Sequence, residues 1–462
     1  MSITLALIIA ALAIGTLLVS PKHVTADGFF RGQSDTGEAP KLLTLVLSQV
    51  TTWIFARSLM NAAVLGYYYG IAGTLAYAAY YLSFLTGAAI VDRIRFQHGF
   101  GSIQSFLHDR FGRTGTACYN AVIALRLLSE VFANLIVIGL IFGTAGGSNY
   151  VAAVVAMALF GLAYSMMGGL RASLRTDVLQ MAALLIVLAV MTLQTITGPL
   201  FDLPTILGSS PDMTSPGWVL IAVAALQVLS YPMHDPVMMD RGFLADRATT
   251  RKSFLHAAWL SVLCILAFGM LGIVAGLNKL EGENMVVALT RLLGDETMML
   301  FNLALIVSAI STLDSTLSSA AKLAISDMRV AAENIANGRI VMVLFMIGGL
   351  GFLFLGSKDL FGAVAVSGTA SMYLTPVIVL SVFMGRTDIP VWSYLVSFFS
   401  AVGAAALYFL ETSGYTGIVG SLSGLEHKYA KLFLLCCAVL VIGFSANLVG
   451  IATSRRALAA AP

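Results

Sequence analysis

The sequence predicts an all-α integral membrane protein of about thirteen transmembrane helices, on three observations. Only 11% of the 462 residues are charged and 58% are hydrophobic, with a mean hydropathy of +0.90, whereas soluble domains carry about 25% charged residues. Apolar runs close to the roughly 20 residues that span a bilayer recur along the whole chain. The segments between them are too short for a folded domain. A soluble enzyme, a secreted module and a DNA-binding protein are excluded. The net charge of +3 comes with no basic run interleaved with aromatics, so no nucleic-acid partner is expected. Cys118, Cys264, Cys436 and Cys437 lie in apolar stretches without a CxxC or Cys/His cluster, so neither a disulfide framework nor a zinc site is indicated.

The expected spans run near 3–20, 44–69, 72–91, 116–144, 149–167, 176–197, 217–232, 254–276, 298–324, 339–356, 362–384, 391–410 and 431–452. The first begins Met-Ser-Ile-Thr, with no basic region and no A-x-A site before Pro21, and so reads as a retained helix rather than a cleaved signal. The span 44–69 is polar and interrupted. The run 217–232 passes into Ser230-Tyr231-Pro232-Met233-His234-Asp235-Pro236, where two prolines and an aspartate argue for a broken helix. Lys and Arg prefer cytoplasmic segments. With the N-terminus outside and the C-terminus inside, eighteen fall on inside segments, and Lys279, Arg291, Lys358, Lys428 and Lys431 fall outside. That asymmetry supports an odd number of spans.

Ionisable groups within spans are costly and mark cavities or partners. Arg57, Arg126, Glu130, Asp177, Asp235, Asp314 and Lys322 are the candidates. Arg126 and Glu130 share a helix face at i,i+4, which fits a neutralised internal pair or a role in substrate binding equally well. Arg57 has no partner within a turn and requires a carboxylate from another helix or from a ligand. Ser308, Ser311, Thr312 and Ser315 follow three- and four-residue spacing, so their hydroxyls line one face. Hydroxyl and carbonyl oxygens without several carboxylates suit a monovalent hard cation. The same hydroxyls also serve as small packing residues between helices.

Transporters are often built from two inverted repeats with broken helices at the midplane. Setting aside the first span and the last two leaves ten, which divide five and five. The expected organisation is an extra helix and loop over 1–43, a first repeat over 44–197, a second over 198–384, and two further helices over 385–462. Each repeat then opens on an interrupted span.

Several motifs, spread over most of the chain, resemble the sodium:solute symporter family. Arg110-Phe111-Gly112 is similar to its arginine-aromatic-glycine motif. Gly168-Gly169-Leu170 with Thr176-Asp177-Val178 and Gln180 is similar to its GG…TDxxQ motif. Ser311-Thr312-Leu313-Asp314-Ser315, followed by Ser318-Ser319 and Ser326-Asp327, is similar to its STxDS signature. The resemblance implies the LeuT-type five-plus-five core. It also implies a sodium ion held by the backbone carbonyls of Thr51, Ile54 and Ser308 with the hydroxyls of Ser311 and Thr312. A second cation in some members implies Asp177, Ser311, Asp314 and Ser315, although Asp177 is also placed to neutralise Arg171 or Arg175. The implied substrate positions are Trp53, Arg57, Ser58, Tyr77, Tyr231 and Asp235. Departures at Trp53, Arg57, Asp235-Pro236 and Asp240-Arg241 argue against a sugar. Trp53 to Ala56, Tyr69-Gly70-Ile71 and Asp235 are similar to the family's urea-transporting branch, whereas an unpaired Arg57 favours a carboxylate.

The function expected from these readings is sodium-coupled symport of a small polar solute by alternating access, with sodium as coupling ion and no other cofactor. A proton-coupled carrier using Asp177 and Asp314 is the alternative, and a transporter-like sensor acting through a partner is a weaker one. No nucleophile–base pair or phosphate-binding loop is evident, so an enzyme is not expected. The lipid bilayer is the expected surrounding, a bacterial inner membrane the expected location, and no obligatory protein partner is indicated. Tyr67, Tyr68 and Tyr69 read as an interfacial aromatic belt or a vestibule lining.

Overall fold

The computed structural model describes residues 3–34, 36–353 and 360–459. Among them all regular structure is helical. In chain order the α-helices are α1 (Ile3–Val19), α2 (Ala26–Arg31), α3 (Leu42–Trp53), α4 (Ala56–Ala79), α5 (Ser83–Val91), α6 (Ile103–Phe142), α7 (Ser148–Thr197), α8 (Leu203–Leu207) and α9 (Pro216–Gln227). They continue as α10 (Pro236–Arg241), α11 (Arg247–Leu277), α12 (Met285–Lys322), α13 (Ile335–Phe352), α14 (Leu360–Ser371), α15 (Leu374–Val377), α16 (Val391–Thr412), α17 (Ile418–Ser423) and α18 (Lys428–Ala459).

Among the described residues, seven helical stretches are long and apolar enough to cross a membrane. An eighth arises if Val364–Ser371 and Leu374–Phe383, bent by 42°, form one span. Leu7–Val19, Leu42–Trp53, Pro216–Gln227 and Ile335–Gly351 are apolar but shorter. Helical backbone lies under each expected segment among the described residues. The runs 149–167 and 176–197 fall in one helical stretch, α7, in which two helices meet at a kink where Gly169 has non-helical φ and ψ. Part of 44–69 and the start of 72–91 meet in α4 in the same way, at Gly70. The end of the expected span 339–356, and with it Lys358, lies outside the described residues.

Glycine is required at Gly169 for two reasons. Its φ is +54°, and a Cβ there would stand 2.5 Å from the Phe29 carbonyl oxygen. The closest helix pairing is α4 against α11. Side chains at Gly272 and Gly276 would overlap the backbone carbonyls of Ala63 and Tyr67, the close approach that small residues permit between membrane helices. At the centre stands α12, in which every residue from Leu303 to Ala321 is buried. The segment that the sequence makes unusually rich in hydroxyls is therefore wholly surrounded by protein.

Candidate functional site: two helix breaks beside α12

The first break falls between α3 and α4, at Ile54-Phe55. Neither residue is Gly or Pro, so the interruption is imposed by partners from other helices. The ladder of α3 ends where the Ile54 N–H donates to the Val50 carbonyl at 2.9 Å. Carbonyls near a helix end have no intrahelical donor. Here Tyr81 Oη donates to the Trp53 carbonyl at 3.1 Å, and the Ser308 hydroxyl donates to the Ile54 carbonyl in close contact. On the far side, the Ala56 N–H donates to Asn134 Oδ1 at 3.2 Å, and Asn134 Nδ2 is steadied by the Glu130 carbonyl at 2.9 Å.

Of the expected sodium ligands, Ile54 and Ser308 meet directly. Thr312 lies one turn further along α12 and donates its hydroxyl to the Ser308 carbonyl at 2.8 Å. Ser311 donates to Asp177 Oδ1 at 2.7 Å, so its hydroxyl lone pairs remain available to a cation. Thr51 is fully buried, and its hydroxyl has no hydrogen-bond partner among the described residues. A buried orphan hydroxyl at a helix break requires an explanation, and an ion or a water supplies one.

The expected second-cation residues are also brought together, but with a guanidinium among them. Asp177 accepts from Ser48 at 2.6 Å and Ser173 at 3.2 Å. Its ionic partner is Arg241, at 3.5 Å, not Arg171 or Arg175 as the sequence suggested. Ser315 donates to Asp314 at 3.1 Å and Thr176 to the same carboxylate at 2.9 Å. The spacing of 64 residues between Asp177 and Arg241 leaves no local signal for this pair.

The second break separates α9 from α10. A 3₁₀ turn at Pro232–His234 intervenes, and Asp235 caps α10 through the Met238 N–H at 3.0 Å. Between the two breaks is a cavity of about 20 Å³ walled by Trp53, Phe55, Arg57, Ser58, Tyr77, Tyr80, Tyr81, Tyr231 and Val364. That space holds about one water molecule, so the site is closed around its aromatic walls. Trp53 stands edge-on to Tyr81 and Tyr231, with ring centroids 4.9 and 5.8 Å apart. Tyr77 donates to Ser58 at 3.1 Å. Asp235 is not in the wall. Its carboxylate accepts from Trp53 Nε1 at 2.9 Å and pairs with Arg126 at 3.1 Å.

Arg57 does not wait for a ligand's carboxylate. It pairs with Glu130 at 2.7 Å, and Glu130 is held in close contact by Arg126 as well. Four buried ionic groups therefore form one chain, Arg57–Glu130–Arg126–Asp235, of zero net charge. The sequence leaves Arg126 and Glu130 as an internal pair or a substrate-binding one, and the fold extends that pair in both directions. Several atoms of the chain have no hydrogen-bond partner among the described residues, namely Arg57 Nε and Nη1, Arg126 Nε and Glu130 Oε2. Of the three tyrosines in 67–69, Tyr67 is buried and donates to the Glu283 carbonyl at 2.7 Å. Tyr68 is exposed.

Residues 41–200 match the model of the sodium:solute symporter family. No curated protein matches the sequence. Among solved structures, the chain is similar to a substrate-bound, outward-open Na+-coupled sialic acid symporter, with a TM-score of 0.75 at 17% identity over 98% of each chain. It is also similar to Mhp1, a nucleobase-cation-symport-1 family transporter closed around bromovinylhydantoin, with a TM-score of 0.58 at 16% identity over 94% of this chain and 95% of that one. These likenesses show the fold, an all-α helical bundle of the same architecture as those two chains. Over residues 41–200 the chain carries the sequence pattern of the sodium:solute symporter family, the family that its motifs resemble.

Proposed function

We propose that this protein is a secondary active transporter that couples inward movement of sodium to uptake of a small polar solute of no net charge. The observation that carries the reading is the meeting of the Ile54 carbonyl, freed by the break after α3, with the Ser308 hydroxyl of α12. Ser311, Thr312 and the unpartnered Thr51 stand within a turn of that contact. A sodium ion bound by these oxygens ties the broken helix to α12, so ion binding and the shape of the neighbouring cavity are linked. Closure and reopening on the other side then expose both ion and solute to the cytoplasm. One sodium moved inward down 100 mV supplies about 2.3 kcal/mol. A tenfold gradient adds about 1.4 kcal/mol, and together these support accumulation of several hundredfold.

The neutrality of the solute follows from the charged chain beside the cavity. Arg57 already has a carboxylate in Glu130, and a carboxylate ligand would add an unbalanced charge to a buried cluster. The unpartnered Arg57 N–H groups and Glu130 Oε2 instead suit a solute that presents an acceptor and a donor side by side, as urea and small amides do. A bacterial inner membrane is the proposed location, with the N-terminus outside, the orientation that the Lys and Arg distribution favours.

The test is uptake into proteoliposomes of urea, acetamide, acetate and glucose, driven in turn by a sodium gradient and a proton gradient at fixed potential. The proposal expects urea or the amide to accumulate under sodium alone. Uptake driven equally well by protons without sodium contradicts the coupling, and preferential uptake of acetate contradicts the solute class.

A further inference from the structure

We propose that the groove between α1, α6, α7 and α12 is a binding site for one phospholipid whose headgroup carries a primary ammonium. The inference does not depend on the sodium-coupled reading.

The first half of α1 does not close against the bundle. Leu5, Ile9 and Ala13 follow four-residue spacing and turn one face toward a cavity of about 1110 Å³. Lower down, α1 meets α7, where a Cβ on Gly15 would stand 3.1 Å from the Leu179 side chain. The facing wall of the groove is α7, on which Ala152, Ala153 and Ala156 are too short to fill the gap. Protein interiors hold few voids larger than a water molecule, and ligand pockets occupy roughly 300–1,000 Å³. A space of this size at the bundle surface is therefore on the scale of a ligand site.

Its length identifies the occupant. On α7 the lining runs from Asn149 to Phe160, eleven steps of about 1.5 Å, or about 16 Å. On α12 the apolar lining runs from Met298 to Ile310, twelve such steps, or about 18 Å. Half of the roughly 30 Å hydrocarbon core is about 15 Å. The groove is as deep as one leaflet, which suits an acyl chain and is too short for a spanning helix of another protein.

The polar lining gathers at one end, the outer one by the Lys and Arg distribution. Asn149 stands at the start of α7, and Thr290 and Asp295 lie on either side of Gly294, whose φ of 74° and ψ of 172° break α12. All three side chains are exposed. Acyl chains are as apolar as leucine, so the headgroup decides which lipid is preferred. Among the described residues that line the groove, Asp295 alone is charged. It has no ion pair or side-chain hydrogen bond among the described residues. An ammonium headgroup brings a positive donor to that carboxylate, a charge-assisted hydrogen bond. A choline headgroup has no N–H to donate, and a glycerol headgroup leaves the phosphate charge unbalanced beside Asp295. At the inner end Ile310 lies between Ser308 and Ser311, so the chain tip packs against the segment of α12 that carries the hydroxyl face.

The test is native mass spectrometry of the full-length protein in detergent, titrated separately with phosphatidylethanolamine, phosphatidylglycerol and phosphatidylcholine. Wild type, Asp295→Asn and Ala153→Phe would be compared, with thermal midpoints to establish folding. The wild type is expected to retain one phosphatidylethanolamine at least tenfold more tightly than either other lipid. Asp295→Asn, at an exposed position, is expected to bind all three alike, and Ala153→Phe, which fills the groove, to lose the bound lipid. Equal binding of the three lipids by the wild type, preference for phosphatidylglycerol, or a preference unchanged in Asp295→Asn overturns the proposal. So does a folded Ala153→Phe that retains phosphatidylethanolamine as the wild type does. Should Ala153→Phe fail to fold, the Asp295→Asn comparison decides alone.

Discussion

Two buried ionic clusters flank the broken helices, and they differ in how completely they are satisfied. Around Arg241, every hydrogen-bonding side-chain nitrogen has a protein partner, and both oxygens of Asp177 accept from neighbours. In the Arg57–Glu130–Arg126–Asp235 chain, three guanidinium nitrogens and one carboxylate oxygen are buried without a partner among the described residues. Buried polar atoms are normally paired, and a fully satisfied network rigidifies the structure around it. On the proposed reading, the contrast separates a cluster that fixes helices in place from one that keeps valences for a solute. The unsatisfied cluster is the one beside the aromatic cavity.

The sharpest way to break this comparison is to remove the shared carboxylate of the unsatisfied chain. Glu130→Ala leaves Arg57 and Arg126 buried without it, and the expected loss is about 3–5 kcal/mol of stability, read as a lowered thermal midpoint in detergent. A change near zero would mean that these charges are hydrated rather than buried. Next in size is the break itself. Asn134→Ala removes the acceptor of the buried Ala56 N–H, and about 1–3 kcal/mol should be lost, while Asn134→Asp, which retains an acceptor oxygen, should lose less. Sodium affinity should then fall with Thr312→Ala, which removes a ligand hydroxyl, raising the concentration for half-maximal binding at least tenfold, about 1.4 kcal/mol.

The smallest effect concerns a pair outside the spans. Arg291 meets Glu283 through two contacts of 2.7 Å, and the guanidinium, with the Leu280 N–H, holds the Glu283 carboxyl down at about 2 from its ordinary 4.5. A carboxyl lowered by folding stabilises the native protein above its unfolded value, and that contribution is lost as pH falls from about 4.5 toward 2. Glu283→Gln should flatten the acid limb of the stability profile slightly over that window. The pair lies at the surface, with Glu283 half-buried, so the effect is small and screened by salt.

How much of the site was legible in the sequence depended on whether its cause was local. The hydroxyl face of α12 could be read because Ser308, Ser311, Thr312 and Ser315 recur at helical spacing, and that spacing holds in the fold. The second break carried its own punctuation in Pro232 and Pro236. The first break carried none. Ile54 and Phe55 are ordinary helix residues, and the interruption is held by Asn134 and Tyr81 from other helices. The partner of Arg57 was invisible for the same reason, since Glu130 lies 73 residues away and already had an apparent partner one turn back. The end of the run 149–167 falls two residues before Gly169, whose non-helical φ and ψ kink α7 between its two helices.

The central claim is that sodium binds where the broken helix meets α12. It is tested most directly by thermal unfolding of the detergent-purified protein in sodium chloride against potassium and choline chloride at equal ionic strength. At 100 times its dissociation constant a ligand stabilises by about 2.7 kcal/mol. The account predicts a rise in midpoint specific to sodium, reduced by Thr312→Ala. An equal response to all three salts, or a sodium-specific rise that survives Thr312→Ala unchanged, would contradict it.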